Sequence, residues 1–375
     1  MNQPFSERLQ TIFEHLHHFP ETSWNEVETT SYIAEFLRQA GLKPHLFKNM
    51  TGLYVDIGEG IPKVGFRTDM DALWQEVDGK FKANHSCGHD GHMTVALGVV
   101  LLLKEMAPSL PGAIRILFQP AEEKAQGAKA LAELGIVDSL TYLFGTHVRP
   151  LYELQDGTYS PALYHGAAKL FTGTIQGLEA HGARPEKGVN AIEVAAAMID
   201  GLKRIWISPE QSASIKMTQL QAGGSSTNII PGSATFSIDA RAQNNESMDE
   251  LTSGFDKVTE AVSTLFGAVI TYKIDAHIAA AQVDDSAKNI MKQAILDVVG
   301  EDRLAPEIVT PGGEDFHFYA YTRPHLKTTM LGLGCGVTPG LHHPNMTFNQ
   351  ERLPTGAEII ARALILALHQ IERSD

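Results

Sequence analysis

The sequence contains little cysteine and no apolar run long enough to cross a membrane. Cys87 and Cys335 are its two cysteines, too few for the disulfide framework of a small secreted domain. A single disulfide between them is one alternative, but we expect reduced thiols in a cytoplasmic protein. The longest apolar run ends at Lys104 and is too short for a bilayer. The polar N-terminus also lacks the apolar core of a signal peptide.

The sequence has no excess of basic charge either. Lys and Arg number 30 against 44 Asp and Glu, which gives a net charge of −14. Nucleic acids and anionic membrane surfaces bind clustered Lys and Arg, so we expect neither as the main partner. An acidic surface does not exclude a small substrate, because a metal site can supply positive charge locally.

The length and the order of predicted elements indicate two domains. A chain of 375 residues exceeds what one hydrophobic core usually serves. Helices alternate with short apolar strands in the first part, which predicts an α/β sheet covered by helices on both faces. The predicted elements there are helices 6–18, 25–40 and 124–134 and strands 53–57, 64–67, 114–118 and 142–145.

Between residues 168 and 278 the predicted order becomes β-α-β-β-α-β, which is the ferredoxin-like arrangement. The elements are strands 169–176, 213–220, 234–241 and 269–274 and helices 190–205 and 247–266. This order is complete in itself, so we predict an inserted domain at 168–278. The first domain is then discontinuous and comprises 1–167 and 279–375, because helix–strand alternation resumes after the insertion.

The segment 84–92 carries an unusual density of metal-binding side chains. It reads Asn-His-Ser-Cys-Gly-His-Asp-Gly-His and precedes a helix that is apolar on all sides. Cysteine thiolate and imidazole suit zinc, cobalt, nickel or manganese, so Cys87 and His89 are candidate ligands. The alternative is a small buried cysteine and histidines that cap the helix.

Further polar groups follow three predicted strands. Asp69 and Asp71 follow the second strand, Glu122 and Glu123 the third, and His147 the fourth. Open α/β sheets place their ligand crevice at the carboxyl ends of strands, so these groups are predicted to converge. Taken singly, each has a structural alternative: an Asp-x-Asp turn, glutamates near a helix N-terminus, or a hydrogen-bonded core histidine.

A loop far along the chain adds two adjacent histidines. His342 and His343 lie between Gly340 and Pro344, and such a loop can bring one of them over the same crevice. The alternative is a surface turn.

Seven segments along the chain resemble, in order, the motifs of one enzyme family. They are Leu16-His17-His18-Phe19-Pro20-Glu21, Arg67-Thr68-Asp69-Met70-Asp71-Ala72-Leu73, Cys87-Gly88-His89-Asp90-Gly91-His92, Gln119-Pro120-Ala121-Glu122-Glu123, Gly145-Thr146-His147-Val148, Gly313-Glu314-Asp315-Phe316 and Leu341-His342-His343-Pro344. On these segments the chain is similar to the N-acyl-amino-acid amidohydrolases, such as hippurate hydrolase and auxin-conjugate hydrolases, of the dinuclear-metal aminoacylase and carboxypeptidase superfamily. The resemblance covers nearly the whole length.

The resemblance implies a site for two divalent metal ions, with zinc, manganese or cobalt as candidates. Glu122 would be the general base, and Asp71 would orient a metal-bound imidazole. Two ions can share one water, lower its pKa and polarise an amide carbonyl, and a neighbouring carboxylate can move the proton. The implied ligands are Cys87, His89, Glu123, His147 and His342.

The resemblance also implies that the inserted domain is a lid and a dimerisation surface. His181 would stabilise the oxyanion of the tetrahedral intermediate, while Asn228 and Arg241 would bind a substrate carboxylate. The alternatives are a turn residue at Asn228 and a surface charge at Arg241. The family's second lid histidine is replaced here by Glu186, which leaves the preferred leaving group open.

The expected function is hydrolysis of the amide bond of an N-acyl amino acid by a metal-bridging water, with release of a carboxylate and an amino acid. A homodimer formed through the inserted domain is also an expectation. The alternatives are a dipeptidase or carboxypeptidase of the same superfamily and a non-catalytic binding protein. A cysteine hydrolase that uses Cys87 ranks last, since a neighbouring base would have to lower the pKa of the thiol.

Overall fold

A computed structural model describes residues 4–373. Its α-helices are α1 Phe5–His18, α2 Val27–Gln39, α3 His89–Met106, α4 Gly127–Glu133, α5 Ala191–Leu202, α6 Asn245–Phe266, α7 Asp285–Val299, α8 His317–Thr322 and α9 Leu353–Glu372. Its strands are β1 His45–Leu46, β2 Leu53–Ile57, β3 Val64–Asp69, β4 Leu73–Val77, β5 Lys80–Asn84, β6 Ile114–Gln119, β7 Tyr142–Pro150, β8 Tyr159–Ser160, β9 Leu163–His165, β10 Ala167–Gln176, β11 Ala180–His181, β12 Ala213–Ala222, β13 Ile229–Ile230, β14 Ser233–Ala242, β15 Val269–Ile278, β16 Ile308–Thr310 and β17 Lys327–Val337.

The chain divides into two compact units, and the larger one is built on a mixed sheet. Within the described residues, this unit contains 4–164, 282–309 and 315–373. Its seven strands lie in the order β1-β2-β6-β3-β7-β17-β8. The strands β6, β3, β7 and β17 are parallel, whereas β2 and β8 pair antiparallel with their neighbours. Every residue of β3 and β7 is buried, including the polar side chains near their carboxyl ends.

The helices pack on this sheet through apolar faces. In α1 the buried residues Leu9, Ile12, Phe13 and Leu16 repeat at helical spacing. The helices α3 and α9 both contact β3 and each other. Gly98 permits this close approach, because a Cβ there would lie 2.8 Å from the Cβ of Ala357.

Two local predictions need correction, and one hairpin was missed. The strand predicted at 142–145 continues to Pro150, so His147 lies inside β7 rather than after it. The helix predicted at 124–134 begins at Gly127, because turns occupy the residues that follow Pro120. The β4–β5 hairpin was not predicted, although Asp78-Gly79 is a typical hairpin turn sequence.

The smaller unit contains 165–281 and 310–314. Its main sheet is antiparallel in the order β12-β14-β10-β15, and its longer elements follow each other as β10, α5, β12, β14, α6 and β15. It has its own hydrophobic core, in which Phe171, Phe236 and Phe255 are buried beside residues of both helices.

Neither cysteine forms a disulfide, and both thiols are buried. Across residues 4–373, none of the helices combines the length and the apolar character needed to cross a membrane.

Candidate active site

The parallel strands of the larger unit bring three sequence motifs to one edge of the sheet. Asp69 and Gln119 are register partners on β3 and β6. Phe66 pairs with Phe144 on β7, and Asp69 and His147 each lie three residues further on. Asp69, Gln119 and His147 therefore lie at the same height along their three strands, and β7 continues beyond this height. This alignment places the motifs of β3 and β6 beside His147.

The loop before α3 brings Cys87 and His89 to the same edge. Gly88 has a φ of 86°, which favours glycine. A Cβ at this position would lie 2.5 Å from Cγ2 of Val148, so glycine also permits the close approach to β7. The Cys87 Sγ then lies 3.6 Å from Nε2 of His147.

The side chains form two groups that share Cys87. The ligand atoms of the first group, Cys87, His89 and His147, lie within 4.8 Å of one another, and all three residues are buried. Those of the second group, Cys87, Glu123 and His342, also lie within 4.8 Å of one another. The structure therefore gathers all five side chains that the resemblance implied as ligands.

Glu122 lies beside both groups. Its Oε2 is 3.8 Å from Nε2 of His89, and Oε1 of Glu123 is 3.9 Å from the same nitrogen. The Nε2 of His342 is 3.5 Å from that Glu123 oxygen. Two adjacent carboxylates therefore face one imidazole, but Glu123 is also directed to the loop histidine.

The hydrogen bonding of these atoms fits a pair of bound cations. Both ring nitrogens of His89 and Oε1 of Glu123 are buried, and within residues 4–373 none has a hydrogen-bond partner. Asp71 Oδ1 is 3.4 Å from His89 Nδ1 without the alignment of a hydrogen bond. Since buried polar atoms are normally paired, these atoms require another partner. Sulfur, nitrogen and carboxylate donors suit zinc, cobalt or manganese.

His147 is held as a neutral imidazole. Burial, together with the neighbouring His92 and Arg149, holds its pKa well below the usual range. Its Nδ1 donates to the backbone oxygen of Val148 at 2.7 Å, which directs Nε2 toward Cys87. A neutral imidazole whose other nitrogen is hydrogen-bonded is the form that binds metals.

Burial and negative charge dominate the ionisation of the other groups when no cation is bound. Burial and the carboxylate of Glu123 raise the pKa of the Cys87 thiol well above its usual value. Burial, with Asp71 and Asp69 nearby, raises the pKa of Glu123 to about 7. Burial opposes a charge on His89, but Asp69 and Cys87 raise its pKa. Each of these groups would be stabilised in its ligand form by a cation.

Asp71 holds the two glutamates in place. It accepts hydrogen bonds from the backbone N–H groups of Glu122 and Glu123, both at 3.0 Å, and from Ser23 Oγ at 2.6 Å. The turn begins at Ala121, whose φ of 55° is unusual for alanine. Asp71, which was expected to orient a metal-bound imidazole, therefore binds the backbone of both glutamates as well as lying near His89.

The sequence analysis did not predict a network of buried hydrogen bonds and ion pairs beside the site. His92 donates from Nδ1 to Asp69 at 2.8 Å, since its Nε2 accepts from the N–H of Val148 at 2.9 Å. Asp69 also pairs with Arg67 at 2.9 Å, and Arg67 pairs with Asp315 at 2.6 Å. Asp69 and His92 lie near His89, but these bonds already engage them. The motif containing Asp315 was recognised without a role, because its partner lies 248 residues away.

The predicted lid and carboxylate-binding residues lie in the smaller unit. His181 on β11 pairs with Ile229 on β13, next to Asn228. The carbonyl of Asn228 accepts from the N–H of Gly182 at 2.7 Å, so the structure brings His181 and Asn228 together. Arg241 on β14 instead forms an ion pair with Asp239 at 2.7 Å.

Comparisons with known proteins identify the family of this chain. The model of peptidase family M20/M25/M40 matches residues 65–366. The N-acetylcysteine deacetylase of Bacillus subtilis is 29% identical over 394 residues, which cover 99% of this chain and 100% of that protein. The IAA-amino acid hydrolase ILR1-like 4 of Arabidopsis thaliana is 28% identical over 390 residues, 99% of this chain and 88% of that protein.

A solved structure extends the agreement to the fold. The YXEP protein of Bacillus subtilis, described as a dinuclear metal binding peptidase from the M20 family, superposes with a TM-score of 0.82 at 27% identity. The match covers 97% of this chain and 99% of that one. These matches confirm the resemblance seen in the sequence: the chain belongs to peptidase family M20/M25/M40 and is a metal-dependent amidohydrolase of that family.

Proposed function

We propose that this enzyme hydrolyses the amide bond of an N-acyl amino acid and releases a carboxylate and an amino acid. The observation that carries the proposal is a converging set of sulfur, nitrogen and oxygen donors with a second carboxylate, Glu122, beside it. Two relatives support the substrate class, because one is named for N-acetylcysteine and the other for IAA-amino acids.

The proposed ligands of two divalent ions are Cys87, His89, Glu123, His147 and His342, with zinc, manganese or cobalt as the metals. When bound, such ions lower the pKa of a water molecule and polarise the amide carbonyl. The protein contributes a pre-arranged set of donors, of which Cys87, His89 and His147 are buried. Cys87 belongs to both groups of side chains and would therefore contribute to holding either ion.

Glu122 is the proposed general base. Its Oε1 accepts a hydrogen bond from the N–H of Asp315 at 3.4 Å, and its backbone is held by Asp71. These contacts orient the carboxylate beside His89. The ligand atoms of Glu122, His89 and Glu123 also lie within 4.8 Å of one another, and we assign Glu122 the role of base rather than ligand. It would take a proton from the attacking water and deliver it to the departing amine nitrogen.

We also propose that the smaller unit is a ferredoxin-like lid and dimerisation domain. His181 would donate to the developing oxyanion, and Asn228 and Arg241 would bind the substrate carboxylate. The pairing of β11 with β13 supports joint action of His181 and Asn228. Arg241 would have to exchange Asp239 for the substrate, which is feasible because the exposed pair is only weakly stabilising.

A dipeptidase or carboxypeptidase is the second candidate, because both the family and the YXEP structure are described as peptidases. The two functions differ at the acyl group. A release assay over N-acetyl and N-benzoyl amino acids and free dipeptides distinguishes them. We expect the blocked amino acids to be cut faster, whereas preferential cleavage of free dipeptides would favour the second candidate.

The test of the mechanism is Glu122→Gln, which keeps the shape of the side chain and removes its basicity. We expect kcat to fall by roughly 10²–10⁴-fold, while metal analysis still finds two ions per chain. The matched control is Glu358→Gln, because Glu358 is exposed on α9. Near-normal turnover by Glu122→Gln would show that another group is the base.

A further inference from the structure

His342 differs from the other proposed histidine ligands because it lies on a loop and is exposed. Its side chain is 56% exposed, whereas His89 and His147 are buried. Its φ of 63° is a left-handed conformation, which a residue with a Cβ keeps only when its surroundings hold it. The contacts that hold this loop therefore decide whether Nε2 of His342 stays beside Glu123.

The β4–β5 hairpin supplies those contacts. Gln75 Nε2 donates to the backbone oxygen of His342 at 3.1 Å. Asn84 Nδ2 donates to Oε1 of Gln75 at 2.7 Å and to the backbone oxygen of Pro344 at 2.9 Å. From the other side, the N–H of His342 donates to the backbone oxygen of Ser86 at 2.7 Å. Both backbone polar groups of His342 are thus engaged.

The hairpin lies outside the seven-stranded sheet that carries His147, although it leads directly into the loop that carries Cys87. Its two strands form their own sheet rather than joining the seven-stranded one. Gln75 and Asn84 are half-buried, while Trp74 and Glu76 are exposed on alternate positions of β4. A change in these two amides should therefore alter the loop without opening the core.

We propose that Gln75 and Asn84 form a clamp that positions His342, so that the affinity for one of the two ions depends on the hairpin. That ion is the one bound by the Cys87, Glu123 and His342 group. The Cys87, His89 and His147 group takes two of its three side chains from α3 and β7, so we expect its ion not to depend on the clamp. This inference rests on the ligand assignment in the proposed function.

The test replaces the donors and keeps the shape. Gln75→Glu places an oxygen, which cannot donate, against the backbone oxygen of His342. Asn84→Asp removes both bonds that Asn84 donates. The metal-free full-length protein is dialysed to equilibrium against Co²⁺, and metal analysis gives the number of bound ions and both dissociation constants. Glu76→Gln, on the other face of the same strand, is the matched control.

In both clamp variants we expect one of the two dissociation constants to rise about tenfold, with the other unchanged within about twofold. Saturating Co²⁺ should restore hydrolysis to Gln75→Glu but not to His342→Ala, because only the latter lacks the ligand. Glu76→Gln should bind both ions as the unaltered protein does.

Three results would contradict these expectations in different ways. Unchanged affinities for both ions in Gln75→Glu and Asn84→Asp would overturn the clamp. Equal weakening of both ions would also overturn it, since that result indicates a general structural role. Failure of the unaltered protein to bind Co²⁺ would instead overturn the ligand assignment, and the proposed function with it.

Discussion

Asp71 connects the fold to the chemistry, and Asp71→Asn tests that connection. The carboxylate accepts the backbone N–H of Glu122 on one oxygen, and the N–H of Glu123 and the hydroxyl of Ser23 on the other. An asparagine keeps the shape but has one oxygen and one NH₂ group. At least one buried backbone N–H would then face another donor instead of an acceptor.

The expected cost follows from these contacts. A hydrogen bond to a charged group contributes roughly 1.5–3 kcal/mol, and an unsatisfied buried donor costs about 1–3 kcal/mol. We expect Asp71→Asn to lower the free energy of unfolding by about 3 kcal/mol, which corresponds to a fall in Tm of roughly 6–12 °C. Loss of the charge near His89 should also weaken metal binding by roughly 10–100-fold.

Urea unfolding of the metal-free protein and equilibrium dialysis against Co²⁺ measure these two effects separately. Ser23→Ala is the matched control, because it removes one neutral donor and keeps the carboxylate. We expect it to lower the free energy of unfolding by about 1 kcal/mol with little effect on metal affinity. If Asp71→Asn matched the unaltered protein in both measurements, the assigned role of Asp71 would be refuted.

Three further predictions concern other parts of the larger unit. The hydrogen bond to Asp90 raises the pKa of His17, so its contribution to stability is complete below the unfolded pKa and is lost as the pH rises through the folded one. The difference in unfolding free energy between the unaltered protein and His17→Gln should therefore shrink from about pH 6 to pH 9, and a constant difference would contradict this. A Cβ at Gly127 would lie 1.7 Å from the backbone oxygen of Pro120, so Gly127→Ala should lower the urea midpoint by the equivalent of about 3 kcal/mol or more, and an unchanged midpoint would contradict this. Chelation should abolish hydrolysis until a divalent ion is restored, because burial raises the pKa of Cys87 and leaves it a thiol; activity that survives complete removal of metal would instead favour a cysteine hydrolase.

The convergence of the candidate ligands could be predicted because it depends on strand direction. Asp71, Glu122 and His147 belong to motifs on strands that are parallel neighbours, and the carboxyl ends of such strands meet at one edge. The sequence marked the strands by apolar runs and the site by the polar residues that interrupt them. No knowledge of the exact strand ends was needed for this inference.

The ends of strands and helices were harder to predict, because polar site residues inside an element resemble the polar residues of a loop. Thr146 and His147 interrupt the apolar run of β7. The strand nevertheless continues, because His147 is buried and its Nδ1 donates to the backbone oxygen of Val148. The turn before α4 requires a left-handed residue, and Ala121 gives no sign of it in the sequence. That turn is held by Glu26, which accepts the N–H of Ala121 at 2.9 Å from 95 residues away.

Long-range polar pairing explains what no local pattern could show. Arg67 and Asp315 are fully buried and paired, and Gln119 donates to both oxygens of the same carboxylate at 2.8 and 2.9 Å. Each residue alone looks like a charge or amide at a strand or loop end. Their joint burial is tolerable only because every charge has a partner, since an unpaired buried charge costs several kcal/mol.

The residues with proposed roles are divided between the two units. The proposed ligands and Glu122 belong to the larger unit, whereas His181, Asn228 and Arg241 belong to the smaller one. Each unit has its own hydrophobic core, so a substitution on the surface of the smaller unit need not disturb the packing that holds the ligands. If the proposed roles of His181, Asn228 and Arg241 hold, a substitution in the smaller unit can change substrate preference while the donor set stays the same. We expect the exposed Glu186, which stands where the resemblance implies a histidine, to be a change of this kind.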